Sequence, residues 1–160
     1  MIECGEIGVG ALSGLSGRYG VGFELVPAGA SIPASYWGEP EAGVRGNTLY
    51  ARLDTPVHSV LHELSHIVCM SGERRSSLDR DARSDDAEEC AVCYLQIALA
   101  PYLPGYGRAR CCDDMDAWGY SFREGTVRNW IAGDAQEARA WLIERALIDP
   151  RGEPTWRLCD

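Results

Sequence analysis

Residues 57–69 read Val57-His58-Ser59-Val60-Leu61-His62-Glu63-Leu64-Ser65-His66-Ile67-Val68-Cys69 and hold all three histidines of the chain, within the pattern His-Glu-x-x-His. On an α-helix, His62 and His66 stand one turn apart on the same face. Two imidazoles so placed can bind one zinc ion at about 2.0–2.1 Å and leave room for a third protein ligand and a water. Glu63 is positioned to reach that water without binding the metal. This stretch therefore predicts a zinc site.

The residues around the motif predict that it forms a well-anchored helix. Thr55 is suited to cap its N-terminus, and Pro56 suits the first helical position. Gly72 follows as a terminator. Apolar residues recur at helical spacing beside the histidines and predict a buried stripe: Val57, Val60, Leu61, Leu64, Ile67 and Val68. The alternative is a core helix whose histidines are simply hydrogen-bonded, and the context favours the metal site.

Length and composition fit one globular domain. A chain of 160 residues, of which 46% are hydrophobic, can build one core but hardly two. We expect a single domain over residues 1–160, with a metal-binding core in 46–101 and a C-terminal loop and helices in 102–160. The formal net charge of −9 argues against nucleic acid or an anionic membrane as the main partner.

The beginning of the chain does not read as an export signal. Met1-Ile2-Glu3-Cys4-Gly5-Glu6 carries acidic residues where a signal peptide has a positive region, and glycine interrupts its apolar residues. No apolar run approaches the length that spans a membrane. The seven cysteines are an odd number and are expected to be reduced thiols. Together these features predict a cytoplasmic protein.

The first half of the chain predicts strands that lead into the motif helix. Residues 1–20 fit either a short strand or a helix, residues 21–26 fit a strand, and the proline-rich residues 27–41 fit a loop. Residues 48–53 alternate apolar and polar as a half-buried strand does. Residues 71–83 are polar without a period and fit a solvated connection.

The second half predicts helices separated by a long loop. Residues 86–100 are apolar nearly all round and predict a buried helix that Pro101 and Pro104 end. Residues 101–120 are predicted as a loop, 121–131 as a helix, and 135–147 as a last helix. Asp134 and Glu137 are spaced as a capping box at its start. Three tryptophans are predicted to lie in the core: Trp118, Trp130 and Trp141.

The third metal ligand has to come from outside the motif, since no histidine remains elsewhere. His58 lies about 12 Å along the helix axis from His66, too far for convergence on one ion, and is better interpreted as a first-turn or pocket-lining residue. Acidic residues open the second predicted helix, where they also suit the helix dipole. The helical periodicity of the apolar residues mildly favours Glu88 as the inward-facing ligand. Because the helix is apolar on nearly every face, this pattern hardly distinguishes Glu88 from Glu89.

Two other clusters could hold a cation. The sulfurs of Cys90, Cys93, Cys111 and Cys112 are enough for a four-cysteine zinc site. The first pair lies inside an apolar helix and the second is vicinal, so we interpret these residues as small buried apolar groups. The acidic residues 113–116 could bind a hard cation, but a solvated loop is the simpler interpretation.

The layout of residues 46–101 resembles that of the gluzincin-type zinc metallopeptidases, in particular the small ImmA/IrrE-like members. The likeness lies in the strand before the motif, in His62, Glu63 and His66, and in Glu89 at the start of a small-residue helix that ends in proline. This chain differs in having Cys90 directly after that glutamate and Cys93, where the family has an aromatic residue. The resemblance implies that zinc is bound by His62, His66 and Glu89. It also implies a minimal zincin-like α+β domain: a small antiparallel or mixed sheet packed on the motif helix and a second buried helix, with further helices C-terminal to them.

The resemblance implies a zinc-dependent hydrolase, most simply a peptidase acting on a peptide or protein. In that chemistry Glu63 accepts a proton from the attacking water and passes it to the leaving amine. Tyr120 or Tyr106 would donate a hydrogen bond to the oxyanion, and strand 48–53 could bind an extended peptide along its edge. The alternatives are a non-catalytic zincin-like protein that binds metal and acts through a partner, and a hydrolase of a non-peptide substrate. The sequence leaves the substrate and the oligomeric state open.

Overall fold

A computed structural model describes residues 1–35, 38–78, 84–122 and 125–160, and the described residues form an α+β structure, as predicted. A 3₁₀ turn at Ala100–Tyr102 follows the longest helix. The elements, numbered in chain order, are α1 Cys4–Ile7, α2 Val9–Gly17, β1 Gly22–Leu25, β2 Gly43–Arg45, β3 Thr48–Ala51, α3 Val57–Cys69, α4 Gly72–Ser76, α5 Asp86–Leu99, α6 Gly107–Trp118, α7 Val127–Gly133 and α8 Gln136–Glu144.

The three strands form a small mixed sheet in the order β1-β3-β2. Strand β1 runs parallel to β3, and β2 runs antiparallel to it, so that Leu49 lies opposite both Phe23 and Val44. Leu49 and Ala51 are fully buried, which confirms the predicted alternation as far as Ala51. The predicted strand over residues 48–53 is too long, because β3 ends at Ala51 and Leu53 is 50% exposed. Because β3 is the central strand and is paired on both sides, the prediction that it binds a peptide along its edge is wrong.

Helices α3 and α5 pack along each other and form the centre of the core. The predicted apolar stripe of α3 is buried throughout, from Val57 to Val68. Helix α5 buries Ala91, Val92, Leu95 and Leu99 against it, among other residues. The burial of this much apolar surface stabilises the helix pair, and it fixes the side chains that project from the two facing surfaces.

The ends of these helices differ in how they are capped. The Asp85 carboxylate accepts the backbone N–H of Glu88 at 2.8 Å and caps α5. The expected cap at Thr55 is wrong, because its hydroxyl instead accepts the Arg52 N–H at 2.9 Å and closes the turn before the helix. The expected capping box at Asp134 is also absent in this part of the described chain, since α8 begins after Ala135 without a side-chain cap.

The predicted loop over residues 101–120 is wrong, because most of its second half is helix α6. This helix has a buried face that includes Cys111, Cys112 and Met115. The many acidic residues in the same stretch make that face hard to recognise in the sequence. Asp114 is 3% exposed and lies in that face, where it accepts hydrogen bonds from the Ile2 N–H and the Tyr106 hydroxyl. An acidic residue therefore occupies a core position, and the hydrophobic pattern does not reveal it.

Several smaller predictions are corrected or completed. Residues 1–20 contain the two short helices α1 and α2, and the polar connection contains α4, while residues 79–83 lie outside the described part of the chain. The helix predicted over 121–131 begins only after Thr126, which caps it, and residues 123–124 are not among those described. Trp130 is buried as predicted, whereas Trp141 is half-buried and Trp118 is 40% exposed.

The remaining expectations concern the state of the cysteines and the presence of membrane-spanning helices. All seven cysteines are free thiols; five are buried and two are half-buried. Among the described residues, no helix has both the length and the apolar character needed to cross a membrane.

Candidate metal centre

The two motif histidines point their Nε2 atoms at the same place. His62 and His66 project from one face of α3, and their ring centroids lie 4.6 Å apart with the rings nearly perpendicular. The two Nε2 atoms are 3.1 Å apart. Both side chains are largely withdrawn from solvent, at 18% and 9% exposure. The helical spacing expected from the sequence thus produces a pair of converging nitrogen ligands.

Glu89 brings a carboxylate to the same place from the first turn of α5. Its Oε1 lies 3.2 Å from Nε2 of His62, and its Oε2 lies 3.3 Å from Nε2 of His66. The Ser84 hydroxyl donates to Oε2 at 2.7 Å and holds the carboxylate. These three residues are the only group of three or more potential metal ligands that converge within the described ranges.

Glu88, the other candidate that the sequence left open, lies elsewhere. Its carboxylate is 6% exposed and accepts from Nη1 of Arg74 at 2.9 Å through both oxygens. It therefore neutralises an arginine of α4 and does not face the histidines. The four-cysteine cluster does not assemble either, since the potential ligands gathered in the described chain are the two histidines and Glu89.

The spacing of the three donor groups fits a zinc ion. Bonds of about 2.0–2.1 Å at tetrahedral angles separate neighbouring ligand atoms by about 3.3 Å. The two Nε2 atoms are 3.1 Å apart, Nε2 of His62 lies 3.2 Å from Oε1 of Glu89, and Nε2 of His66 lies 3.3 Å from Oε2. The last two distances are to different oxygens, and with one ligand atom taken from each residue the three atoms lie within 4.8 Å of one another. Two imidazoles and one carboxylate are also a donor set that zinc takes in catalytic sites, with the fourth position left to water or substrate.

Gln96 orients His62 from the far side of the ring. The Gln96 side chain is fully buried in α5, and its Nε2 donates to the backbone oxygen of His58 at 2.8 Å. This fixes the amide so that Oε1 faces Nδ1 of His62 at 3.1 Å. Because Oε1 of an amide only accepts, Nδ1 of His62 is the donor in this contact, and Nε2 is the ring atom that would bind a metal, the arrangement that metal-binding histidines need.

Electrostatics around the cluster also match a site for a cation. Burial opposes protonation of His62, but Tyr120, Cys93 and Glu89 outweigh it, and the pKa of the imidazole lies well above its ordinary value. Burial raises the pKa of the Glu89 carboxyl, but the hydrogen bond from His62 and the charges of both histidines more than reverse this and hold it well below its usual range. The pocket thus favours an anionic glutamate beside positive charge.

A cavity of about 500 Å³ opens beside the cluster, and its walls include His62, Glu63 and Glu89. Glu63 is half-buried there, on the side of α3 that faces the cavity. The buried Glu41 also lines this cavity, and burial raises the pKa of its carboxyl even though Trp118 donates a hydrogen bond to it. Glu41 was missed from the sequence because it lies in an irregular segment with no motif around it.

The two tyrosines considered as oxyanion donors occupy different environments. Tyr120 lines the cavity, and its ring lies edge-on to His62 with the centroids 5.6 Å apart. Its hydroxyl lies 3.3 Å from Nδ1 of His58 and 3.4 Å from Nε2 of Gln96. Tyr106 is 7% exposed and donates to Asp114. It is therefore part of the core, and its proposed catalytic role is wrong.

His58 lies beneath the cavity and not at the metal cluster. It is fully buried, and its Nε2 has no hydrogen-bond partner in the described part of the chain. Burial, and then the charge of His62, lower the pKa of His58 to about 4. It is therefore a neutral imidazole that supports Tyr120, which agrees with the expectation that it is not a metal ligand.

Comparison of the chain with protein-family models, with curated proteins and with solved structures finds no match.

Proposed function

We propose that this protein is a zinc-dependent hydrolase that cleaves peptide bonds. The observation that carries the proposal is the convergence of His62, His66 and Glu89 on one point, with Glu63 in the wall of the adjoining cavity. A purely structural zinc site is normally closed by four protein ligands. Three ligands, an open side and a carboxylate next to it instead support a catalytic site.

Each residue of the site has a role that its position supports. Zinc bound by His62, His66 and Glu89 would lower the pKa of a bound water and polarise a substrate carbonyl. Glu63 accepts a proton on its carboxylate during attack and donates it to the leaving amine. Tyr120, next to His62, donates a hydrogen bond from its hydroxyl to the oxyanion in place of its 3.3 Å contact with His58.

The cavity supports a peptide as the substrate. At about 500 Å³ it can hold a few residues of an extended chain beside the ligand cluster. Because β3 is paired on both sides, substrate binding depends on this cavity and not on addition of a strand to β3.

The proposal is tested by zinc analysis of the purified protein together with cleavage of a peptide library followed by mass spectrometry. The parent should contain one zinc and cleave. Glu63→Gln should keep its zinc and lose cleavage by at least about 100-fold, because the general base is removed. Glu73→Gln, an exposed glutamate on α4, is the matched control and should cleave normally.

Two results would contradict the proposal. Absence of zinc in the parent, after exposure to it, would leave an ordinary α+β domain. Zinc without cleavage of any library peptide would instead favour a metal-binding protein that acts through a partner. Cleavage that Glu63→Gln does not change would keep the enzyme but reject Glu63 as its general base.

A further inference from the structure

A second cavity, of about 780 Å³, adjoins the candidate metal centre. It shares Glu89 and Tyr120 with the smaller cavity, so that a peptide bound at the ligand cluster would place a neighbouring side chain in it. Its walls come from the start of α5, from residues 120–122, from α7 and from the start of α8.

The inner wall of this cavity is apolar and aromatic. Phe122 and Trp130 stack with their ring centroids 4.3 Å apart and their planes 15° from parallel. Tyr120, Cys93 and Ala138 complete the apolar wall. Such a surface accommodates the methylene groups of a long side chain, and aromatic faces attract cations.

The outer wall is acidic. Asp86, Asp134 and Glu137 are exposed at the rim, and none of them forms an ion pair within the described residues. No arginine is among the described residues that line the cavity. Among the described residues, the rim therefore carries three carboxylates that form no ion pair.

The positive N-terminal ends of the helix dipoles do not neutralise the negative charge of these carboxylates. The cavity lies at the N-termini of α5 and α8, which together contribute about one positive charge. The three rim carboxylates carry more negative charge than these dipoles offset. This holds even when Glu89 is left out of the count because its charge would balance the metal ion. The described residues therefore leave a net negative charge at the mouth of the cavity, and the chain as a whole has a net charge of −9.

We propose that this cavity is a specificity pocket for a cationic side chain, arginine or lysine, of the peptide substrate. The inference rests on the proposed peptidase function for the identity of the ligand. The apolar wall packs on the methylene groups of the side chain, and Asp134 and Glu137 at the start of α8, with Asp86 at the start of α5, pair with its charged end.

The test measures binding and does not require turnover. Zinc-loaded Glu63→Gln protein is titrated with capped hexapeptides of alanine and glycine that carry one central arginine, lysine, citrulline or norleucine. The indole N–H signal of Trp130, assigned with Trp130→Phe, reports binding. We expect the arginine and lysine peptides to bind about fivefold more tightly than the citrulline peptide, with the difference shrinking at about 0.5 M salt.

Two double variants, each of which removes two negative charges, test whether the preference for arginine arises in this cavity. Asp134→Asn combined with Glu137→Gln should abolish the preference for arginine over citrulline. Glu73→Gln combined with Glu144→Gln removes two exposed carboxylates outside the cavity and should preserve it. Equal dissociation constants for arginine and citrulline, equal effects of the two double variants, or no binding of any peptide would each overturn the proposal.

The outcomes also separate this inference from the function on which it rests. A preference for arginine in binding, together with a parent protein that cleaves nothing, would retain the pocket and reject the peptidase. Cleavage by the parent with equal rates for arginine and citrulline peptides would retain the peptidase and reject the pocket.

Discussion

His62 and Gln96 face each other between helices α3 and α5, with Nδ1 of the imidazole 3.1 Å from Oε1 of the amide. The amide cannot turn over without losing its 2.8 Å hydrogen bond to the His58 carbonyl. A buried amide in the apolar middle of α5 thus positions one candidate zinc ligand. The buried position of Gln96 is explained by this role, because a buried amide without partners would destabilise the fold.

Gln96→Met is predicted to weaken zinc binding by about 10- to 100-fold, because the variant keeps the side-chain volume but no longer holds the His62 proton on Nδ1. Competition with a chromophoric chelator measures the affinity. Gln136→Met, at the exposed start of α8, is the control and should bind zinc as the parent does. Unchanged affinity in Gln96→Met would show that Gln96 does not position the ligand.

Substitutions of the two neighbouring glutamates of α5 are predicted to affect different properties, zinc binding in one case and stability in the other. Glu89→Gln should lose zinc, since its carboxylate faces both histidines. Glu88→Gln should keep zinc but lose about 1–3 kcal/mol of unfolding free energy, because it leaves a weaker partner for Arg74 in a largely buried position. Metal analysis and urea unfolding of both variants make the comparison, and zinc loss in Glu88→Gln alone would reverse the assignment.

The sequence predicted the parts of this molecule whose pattern is strictly periodic. The α+β class, helix α3 with its buried stripe, and the bounds of α5 follow from apolar spacing and from proline. Helix α6 was missed because a buried aspartate, Asp114, interrupts its apolar face, and its tertiary partners Ile2 and Tyr106 are distant or unmarked in the sequence.

The candidate site was predictable only where a motif lies on one element. His62, Glu63 and His66 belong to a single helix, whereas the choice between Glu88 and Glu89 depends on how α5 rotates against α3. That rotation is fixed by packing and by Arg74, which binds Glu88. Glu41 enters the cavity from a loop, and no local pattern connects it to the motif.

Two glycine substitutions are predicted to change stability in opposite directions. A Cβ on Gly43 would overlap the Pro33 carbonyl oxygen, whereas one on Gly14, in helix α2, meets nothing within 4 Å. Gly43→Ala should therefore destabilise the protein by several kcal/mol or prevent folding. Gly14→Ala should stabilise it by about 0.5–1 kcal/mol. Thermal unfolding measures both, and a Gly43→Ala protein as stable as the parent would contradict the packing of β2 against residues 33–35.

Tyr120→Phe tests whether the hydroxyl acts on the substrate or only on its neighbours. An oxyanion donor contributes to the transition state, so we expect kcat to fall by about 100-fold with KM and zinc affinity nearly unchanged. Steady-state kinetics and the chelator assay give the three quantities. Weaker zinc binding with little change in kcat would instead make Tyr120 a positioning residue that acts through Gln96 and His62.

His58 is predicted to make stability depend on pH. Its burial, and then the charge of His62, lower its pKa from the ordinary value of 6.5 to about 4. Between these values the unfolded chain binds a proton at this position and the folded chain does not, so stability is fully present above pH 6.5 and is lost as the pH falls toward 4.

The loss amounts to on the order of 3 kcal/mol, because each pKa unit corresponds to about 1.4 kcal/mol and the pKa falls from 6.5 to about 4. Urea unfolding at several pH values, with a chelator present to exclude metal, measures it. His58→Phe removes the titrating group, so the difference in unfolding free energy between parent and variant should shrink or reverse as the medium is acidified. Gln136→Met, an exposed substitution on α8 that leaves His58 and its contacts in place, should follow the parent. Parallel curves for the parent and His58→Phe would contradict the assignment of a neutral, buried imidazole.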